Sequence, residues 1–390
     1  MKKKIAILGS TGSIGKTLLK IIENDKKNFD VVLLTANTDH KTLLKQAKKF
    51  NVQNLIINDF KSYKLLKNKI KKSKIKIFNS FNSINKILNK KIDYVMSSIV
   101  GIQGLDPTYR IIKFTKNIAI ANKESIICGW GLINNELKKN KTNFIPVDSE
   151  HFSIWYGLQN LNYKNIEKIF LTASGGPFYK VPLNKFKNIT IKNALQHPSW
   201  RMGKKISIDS ATMINKVYEV IEAKNIFNIS YKNIKILIHP KSYIHAMLKF
   251  NNGLIKIIAH DTTMKVPIFN TLFFGSNFKF KTKNIDLNTL NNLNFEKVNL
   301  SRYPMVKILK LLPKKHSLFE TVIVSANDTF VNLFLQKKIS FLDINKELFK
   351  ILKLNEFSKY KNIKPKKLND IINLNKYVST NIRKKYIIDK

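Results

Sequence analysis

The sequence predicts an α/β protein with a doubly wound N-terminal domain, an α+β domain carrying the chemistry, and a C-terminal helical bundle. Three observations predict this. The first part alternates short apolar runs with helical patterns, the signature of βαβ units on a parallel sheet. From about Phe144, glycine, proline, histidine and tryptophan crowd into dense motifs, as in functional loops on a scaffold. From Tyr303 the apolar spacing becomes helical. The expected divisions are 1–146, 147–275, a polar linker over 276–302, and 303–390.

KIAIL (4–8) is the first strand, followed by glycines and a helical pattern in KTLLKIIEN. VVLLT (31–35) is the second, with a helix expected from His40 to Phe50. NLIIN (54–58), IDYVMSSIV (92–100) and NIAIA (117–121) are read as the third, fourth and fifth. The lysine-rich span from Lys64 to Lys91 has spacing that fits solvated helices. NIDLNTLNNLNFEK reads as the linker, and YPMVKILKLL, SLFETVIVSANDTFVNLFL and DINKELFKILKL as bundle helices. There is no internal repeat.

A chain of 390 residues, 44% hydrophobic, holds two or three domains. The net charge is +45, from 70 Lys+Arg against 25 Asp+Glu. Only Arg110, Arg201, Arg302 and Arg383 are arginine, and the remaining basic residues are lysine. A phosphate-reading nucleic-acid surface would use arginine's planar fork as well. The excess therefore reads as coding bias, although its field attracts anionic substrates. One cysteine, Cys128, permits no internal disulfide and fits a reducing cytosol. MKKKIAILGS begins like a secretory n-region, but a glycine turn replaces the cleavage site. No run approaches the ~18 apolar residues of a membrane span. A soluble cytoplasmic protein with no membrane partner and no specific nucleic-acid partner is expected.

In ILGSTGSIGKTLL, Gly9, Gly12 and Gly15 follow a strand and open a helix. Glycines admit a pyrophosphate, and the helix N-terminus supplies amide donors, so a Rossmann-like dinucleotide site is expected. Beyond the second strand, Asn37-Thr38 offers no acid at the strand end, while Asp39 is followed by His40 and Lys41. That leans towards NADP. Asn122, Lys123 and Glu124 of AIANKES lie at a strand's carboxyl end, where open α/β sheets bind ligands. The same residues also suit a helix start, with Asn122 as cap.

PVDSEHFSIW sets Asp148 and Glu150 around Ser149 in a chain short of acids. In an extended segment the two carboxylates would point one way, a seat for Mg²⁺ or Mn²⁺. Alternatively, Asp148 or Ser149 caps a helix. In SIDSATMINKVYEVIEAKNIF, a helix from near Ser210 would set Asn215 and Glu219 on one face, flanked by Lys216. That face offers a phosphate site at one end and an acid for a metal at the other. LTASGGPF ends a strand at Ser174-Gly175-Gly176, suited to a phosphate oxygen, and HPSWRMGKK (197–205) has the composition of a lid. His239, Ser242 and His245 of IHPKSYIH lack a paired helical spacing, which disfavours a transition-metal site.

Together, GSTGSIG, ANKES, PVDSEH, SGGPF, HPxWxMGxKISxDSATMxNK with its following glutamate, and IHPxSxIH resemble the 1-deoxy-D-xylulose 5-phosphate reductoisomerase family in order and approximate spacing. The resemblance runs through most of the first 275 residues. It implies an NADPH-dependent enzyme using Mg²⁺ or Mn²⁺, with Co²⁺ an alternative ion, acting on a small phosphorylated ketose as a homodimer. Asp148, Glu150 and Glu219 would be metal ligands. Ser174, Ser210, Asn215 and Lys216 would grip the phosphate and nearby hydroxyls. Lys123, Ser149 and His197 would hold the substrate backbone, and Trp200 and Met202 would close over it. Thr11, Gly12, Ser13, Ile14, Asn37, Asn122, Glu124 and Gly203 would meet NADPH. The family's Gly-Lys-Asn after the second strand is Asn37-Thr38-Asp39 here, and its Ala-Asn-Glu in the tail is Ala-Asn-Asp328. A metal-independent NADP dehydrogenase of the semialdehyde type is the rival enzyme reading, but it leaves the three acids unexplained. A nucleic-acid binder would need no such triad.

Overall fold

The computed structural model describes residues 1–70, 73–161, 163–200 and 202–388. They form two compact units. The first comprises Met1–Ser125, Leu132–Asp148 and Met264–Phe280. The second comprises Ile126–Gly131, Ser149–Thr263 and Lys281–Lys390.

The first unit is built on β1 (Lys3–Leu8), β2 (Phe29–Ala36), β3 (Asn54–Ile57), β4 (Lys76–Phe78), β5 (Ile92–Ser97), β6 (Thr115–Ile120) and β7 (Asn143–Pro146). The order is β4-β3-β2-β1-β5-β6-β7, and every pairing is parallel. Ile5 to Leu8 are all buried, as expected for a central strand covered on both faces. Strand order reverses at β1, so the crevice beyond β1 and β5 is the topological switch point. The helix Lys265–Leu272 returns to this unit and packs on the helix Ser13–Glu23, while Phe273 meets Phe29 edge to face.

The second unit carries a mixed sheet of β8 (Ile166–Ala173), β9 (Ile234–Ile238), β10 (Ile244–Phe250), β11 (Ile255–Ala259) and β12 (Glu296–Lys297), ordered β11-β10-β8-β9-β12. The helices Ser149–Gly157 and Ile214–Phe227 press Ile154 and Val220 into one core with Leu171 of β8 and Leu248 of β10. His151 Nε2 donates to the Glu219 carbonyl at 2.8 Å and fixes the two helices to each other. In the tail, the nearly fully buried helix Phe319–Leu335 packs against Phe341–Lys353 and Leu368–Ile388. The fold is thus α/β with a Rossmann-like first unit and a helical C-terminal region.

Local readings needed correction. The lysine-rich span contains β4 as well as helices, so AIANKES follows the sixth strand rather than the fifth. The signal was weak because β4 has only three residues and none is fully buried. The Asn-rich stretch holds a short helix, Leu287–Asn291, and β12, which pairs antiparallel with β9. Ser210 lies at the end of the helix Lys204–Ala211, not at the start of the next. Met213, at φ +67°, breaks the path between the two helices, and no periodicity signals a left-handed residue there. Asp148-Ser149-Glu150 is not extended, because the helix begins at Ser149.

Gly15 has no room for a side chain: a Cβ would lie 2.5 Å from Ser10 Cα and 2.6 Å from the Gly9 carbonyl. Gly15→Ala is therefore expected to destabilise the chain by about 1–3 kcal/mol. Urea unfolding checks this, and an unchanged midpoint would show that the turn relaxes freely.

Candidate functional site

The glycine turn is pinned from beneath. Gly9 N–H donates to Thr35 Oγ1 at 2.9 Å, and Ser10 N–H to the Thr35 carbonyl at 2.9 Å. Gly9 has φ +84°, and a Cβ there would lie 3.0 Å from the Ser98 carbonyl. Thr11, Gly12, Ser13 and Ile14 are left at least partly exposed at the switch point, ahead of the helix Ser13–Glu23. Asn37, Thr38 and Asp39 are exposed beyond β2. Asp39 Oδ1 accepts from Thr42 N–H at 3.0 Å, so this acid caps the helix His40–Phe50.

Asn122 also caps. Its Oδ1 accepts from Ser125 N–H at 2.7 Å, and its Nδ2 donates to the carbonyls of Gly101 and Ile99. The helix reading of AIANKES therefore holds, and both Asn122 and Glu124 are buried. The next residue, Lys123, is buried and places its ammonium 2.8 Å from Asp148 Oδ2.

In the second unit, Lys216 Nζ contacts Glu150 Oε1 at 2.5 Å and also binds Glu219 Oε2. The Lys216, Glu150 and Glu219 side chains are 5%, 12% and 1% exposed, so the three charges depend on one another rather than on water. Burial works to raise the Glu150 carboxyl, but the Lys216 ammonium overrides it and holds it below the carboxylate range. Burial likewise opposes Lys216, yet Glu150 and Glu219 raise it above its ordinary value. Asn215 Nδ2 donates to Glu219 Oε1 at 2.5 Å, confirming the shared helix face, and Ser149 Oγ donates to Glu150 Oε2 at 2.6 Å. Two carboxylates closed around a cation form an all-oxygen seat suited to Mg²⁺ or Mn²⁺. Asp148 directly precedes this helix, and the chain itself delivers it two residues from Glu150.

Ser174 follows β8, and its Oγ lies 3.0 Å from His197 Nε2 and accepts from Gly176 N–H at 3.0 Å. His197 Nδ1 accepts from Ser199 N–H and Trp200 N–H at 3.1 and 3.0 Å. A nitrogen that accepts carries no proton, so the neutral ring is protonated at Nε2 and donates to Ser174. Burial lowers the His197 pKa to about 4. A Cβ on Gly176 would meet the Ser210 carbonyl at 3.0 Å, so the Ser174 loop runs directly over Ser210.

Residues 198–200 and the pair Met202-Gly203 belong to no helix or strand, and Gly203 precedes the helix Lys204–Ala211. Trp200 is half-buried and meets His245 edge to face at 6.1 Å, and Met202 is half-buried. Arg201, within the expected lid, lies outside the described residues. His245 stacks on His260 at 3.7 Å and bonds its carbonyl, while His239 bonds the Asn294 carbonyl and stacks on Phe295.

Sequence reasoning missed the support behind these groups. Lys205 Nζ lies 3.0 Å from both Asp209 and Asp328, and Asn327 Nδ2 donates to Asp209 at 2.8 Å. Asp328 thus meets the helix Lys204–Ala211 through Lys205. Arg302 and Tyr303 reach the Ser174 loop, and the signal available was that Arg302 is one of only four arginines.

The 1-deoxy-D-xylulose 5-phosphate reductoisomerase family model matches residues 5–130, and two models of the C-terminal domain match 144–227 and 261–380. The 1-deoxy-D-xylulose 5-phosphate reductoisomerase of Pelagibacter ubique (strain HTCC1062) is 59% identical over 382 residues, 97% of this chain and 98% of that one. A crystal structure of DOX-P reductoisomerase with NADPH, fosmidomycin and magnesium superposes with TM-score 0.91 at 29% identity, covering 99% of this chain and 98% of that chain. The Zymomonas mobilis enzyme in complex with NADPH superposes with TM-score 0.86 at 32% identity, covering 97% and 98%.

Between its ordinary pKa of 6.5 and about 4, His197 binds a proton only when unfolded, so its burial costs stability as pH falls through that window. The ring should stay neutral and Nε2-protonated at about pH 5.5, where an ordinary imidazole is mostly charged. Ring-nitrogen NMR, assigned through His197→Asn, checks this, and an ordinary midpoint would contradict the assigned tautomer.

Proposed function

The chain belongs to the 1-deoxy-D-xylulose 5-phosphate reductoisomerase family, and from that premise we propose that Asp148, Glu150 and Glu219 hold the divalent ion of its reaction. That reaction is the NADPH- and metal-dependent rearrangement and reduction of 1-deoxy-D-xylulose 5-phosphate to 2-C-methyl-D-erythritol 4-phosphate, a step in isoprenoid precursor synthesis. The observation carrying the assignment is Lys216: its ammonium already sits against both Glu150 and Glu219, the stand-in for a cation. When bound, the ion supplies Lewis acidity to adjacent substrate oxygens, and NADPH supplies the hydride.

The chain's own residues do the rest. Ser174, Ser210, Asn215 and Lys216 grip the phosphate and neighbouring hydroxyls. Glu150 and Glu219 would hold the ion, and the Lys216 ammonium that now sits between them would then be available to an anionic substrate oxygen. Lys123 balances Asp148, and with Ser149 and His197 holds the substrate's carbon chain. Trp200 and Met202 supply apolar cover that excludes water. Phosphate binding remote from the reacting carbons supports orientation and closure. Thr11 to Ile14, Asn37, Asn122, Glu124 and Gly203 serve NADPH. On this reading residues 1–146 serve NADPH, 147–275 catalysis and 303–390 helical support, with the compact units departing from these bounds in that Ile126–Gly131 belongs to the second and Met264–Phe280 to the first.

Glu150→Gln retains shape but loses the charge. It is expected to lower kcat at least about a hundredfold and weaken magnesium binding, with unchanged circular dichroism. Following NADPH consumption with titrated Mg²⁺ checks this, and near-normal turnover would remove Glu150 from the metal site.

Among the described residues no helix is long and apolar enough to cross a membrane. We place the enzyme in the cytoplasm as a homodimer. Supporting the dimer, edge strand β11 and its turn expose Leu254, Ile255 and Ile257 at 66%, 56% and 54%, an unprotected apolar edge suited to a second copy. Ile257→Lys should convert the dimer to monomer in sedimentation velocity. A persisting dimer would place the contact elsewhere.

A further inference from the structure

We propose that Tyr303 is a positioning residue: acting through the Gly175–Gly176 peptide, it presets the Ser174 hydroxyl as a hydrogen-bond donor to the substrate phosphate. This rests on the reading of Ser174 as part of the phosphate grip. Tyr303 is 2% exposed and touches no reacting atom in that reading. Its hydroxyl donates to the Gly175 carbonyl at 2.7 Å. In a trans peptide, C=O and N–H point opposite ways, so fixing the Gly175 oxygen also fixes the Gly176 N–H. That N–H donates to Ser174 Oγ at 3.0 Å, and His197 Nε2 donates to the same oxygen at 3.0 Å. A hydroxyl has two acceptor sites and one proton. With both acceptor sites filled, the Ser174 proton is left to point away from its neighbours. A phosphate oxygen accepts and cannot donate when fully ionised, so this polarity suits it.

The ring of Tyr303 adds a second support. It packs with Ala173 before the loop and with Met213, the left-handed residue joining the Ser210 helix to the Asn215–Lys216 helix. Gly175 and Gly176, at φ +84° and +66°, are held in conformations that glycine adopts freely and that need such outside restraint. Beside it, Arg302 Nη1 donates to the Phe178 and Val181 carbonyls at 2.6 and 2.5 Å, tethering the far end of the same loop. Burial raises the Tyr303 pKa, which keeps its hydroxyl a donor.

The test uses the full chain with Mg²⁺. Tyr303→Phe retains the ring and loses only the hydroxyl. KM for 1-deoxy-D-xylulose 5-phosphate should rise about five- to tenfold, the worth of one buried hydrogen bond. The inhibition constant for inorganic phosphate should rise in parallel, while KM for NADPH stays unchanged and kcat falls less than about twofold. In a double-mutant cycle, Tyr303→Phe should cost almost nothing further once Ser174→Ala is present. A merely structural role would move all parameters together and add independently, and additivity would overturn the proposal. If Ser174→Ala alone leaves phosphate inhibition unchanged, the phosphate-grip reading itself fails. Should Tyr303→Phe not fold, Arg302→Lys probes the loop from its other end. The same substrate-selective rise is expected, and an unselective loss would overturn the proposal.

Discussion

Two carboxylates and one ammonium, all nearly shut off from water, set the terms for the second unit. Removing one member of a buried ion cluster typically costs about 3–5 kcal/mol, because the others are left uncompensated. Glu150, Lys216 and Glu219 therefore exist only as a set. The fold must deliver them together, and it does so through ordinary packing. Ile154 and Val220 place two helices on one sheet, and His151 ties the first helix to the backbone at Glu219. The same arrangement suits the proposed metal site, since carboxylates assembled around an ammonium are already gathered for another cation.

Around the Ser174 loop the controlling quantity is polarity rather than charge. His197 is fixed by two backbone amides, which decide its tautomer and so decide which way its bond to Ser174 runs. The Gly176 amide runs the same way. Direction passes from residue to residue without any group changing its protonation. This organisation tolerates an arginine-poor chain, because the loop's own neutral groups need only one guanidinium, that of Arg302, holding carbonyls from behind.

Much of the local geometry was legible in the sequence because unusual residue types stand close together in it. Asp148 and Glu150, the Asn215–Glu219 spacing and the glycines after β1 each declare themselves within a few residues. The helix His40–Phe50 was readable to its ends. What escaped was whatever depends on distant partners. β4 and β12 are too short to carry a period, and β12 is a strand only because β9 lies beside it. The left-handed turn at Met213 moved Ser210 from an expected helix start to a helix end. Asp328 and Tyr303 lie far along the chain from the groups they support, so no local pattern could announce them.

The large basic excess has a structural consequence despite its origin in composition. Acids are scarce, and those at the functional centre have lysines beside them: Asp148 with Lys123, Glu150 and Glu219 with Lys216, Asp209 and Asp328 with Lys205. Asp39 shows how far this extends. An acid beyond β2 is the expected reader of a ribose 2′-hydroxyl and repels a 2′-phosphate. Here partial desolvation works to raise its pKa, but hydrogen bonds from Thr42 and the charges of Lys16 and His40 hold it low. Its carboxylate is turned towards capping, with a cation from the glycine-turn helix nearby. The negative charge that this turn would present to a cofactor is thereby blunted, which reconciles an acid at this position with relatives whose solved structures carry NADPH.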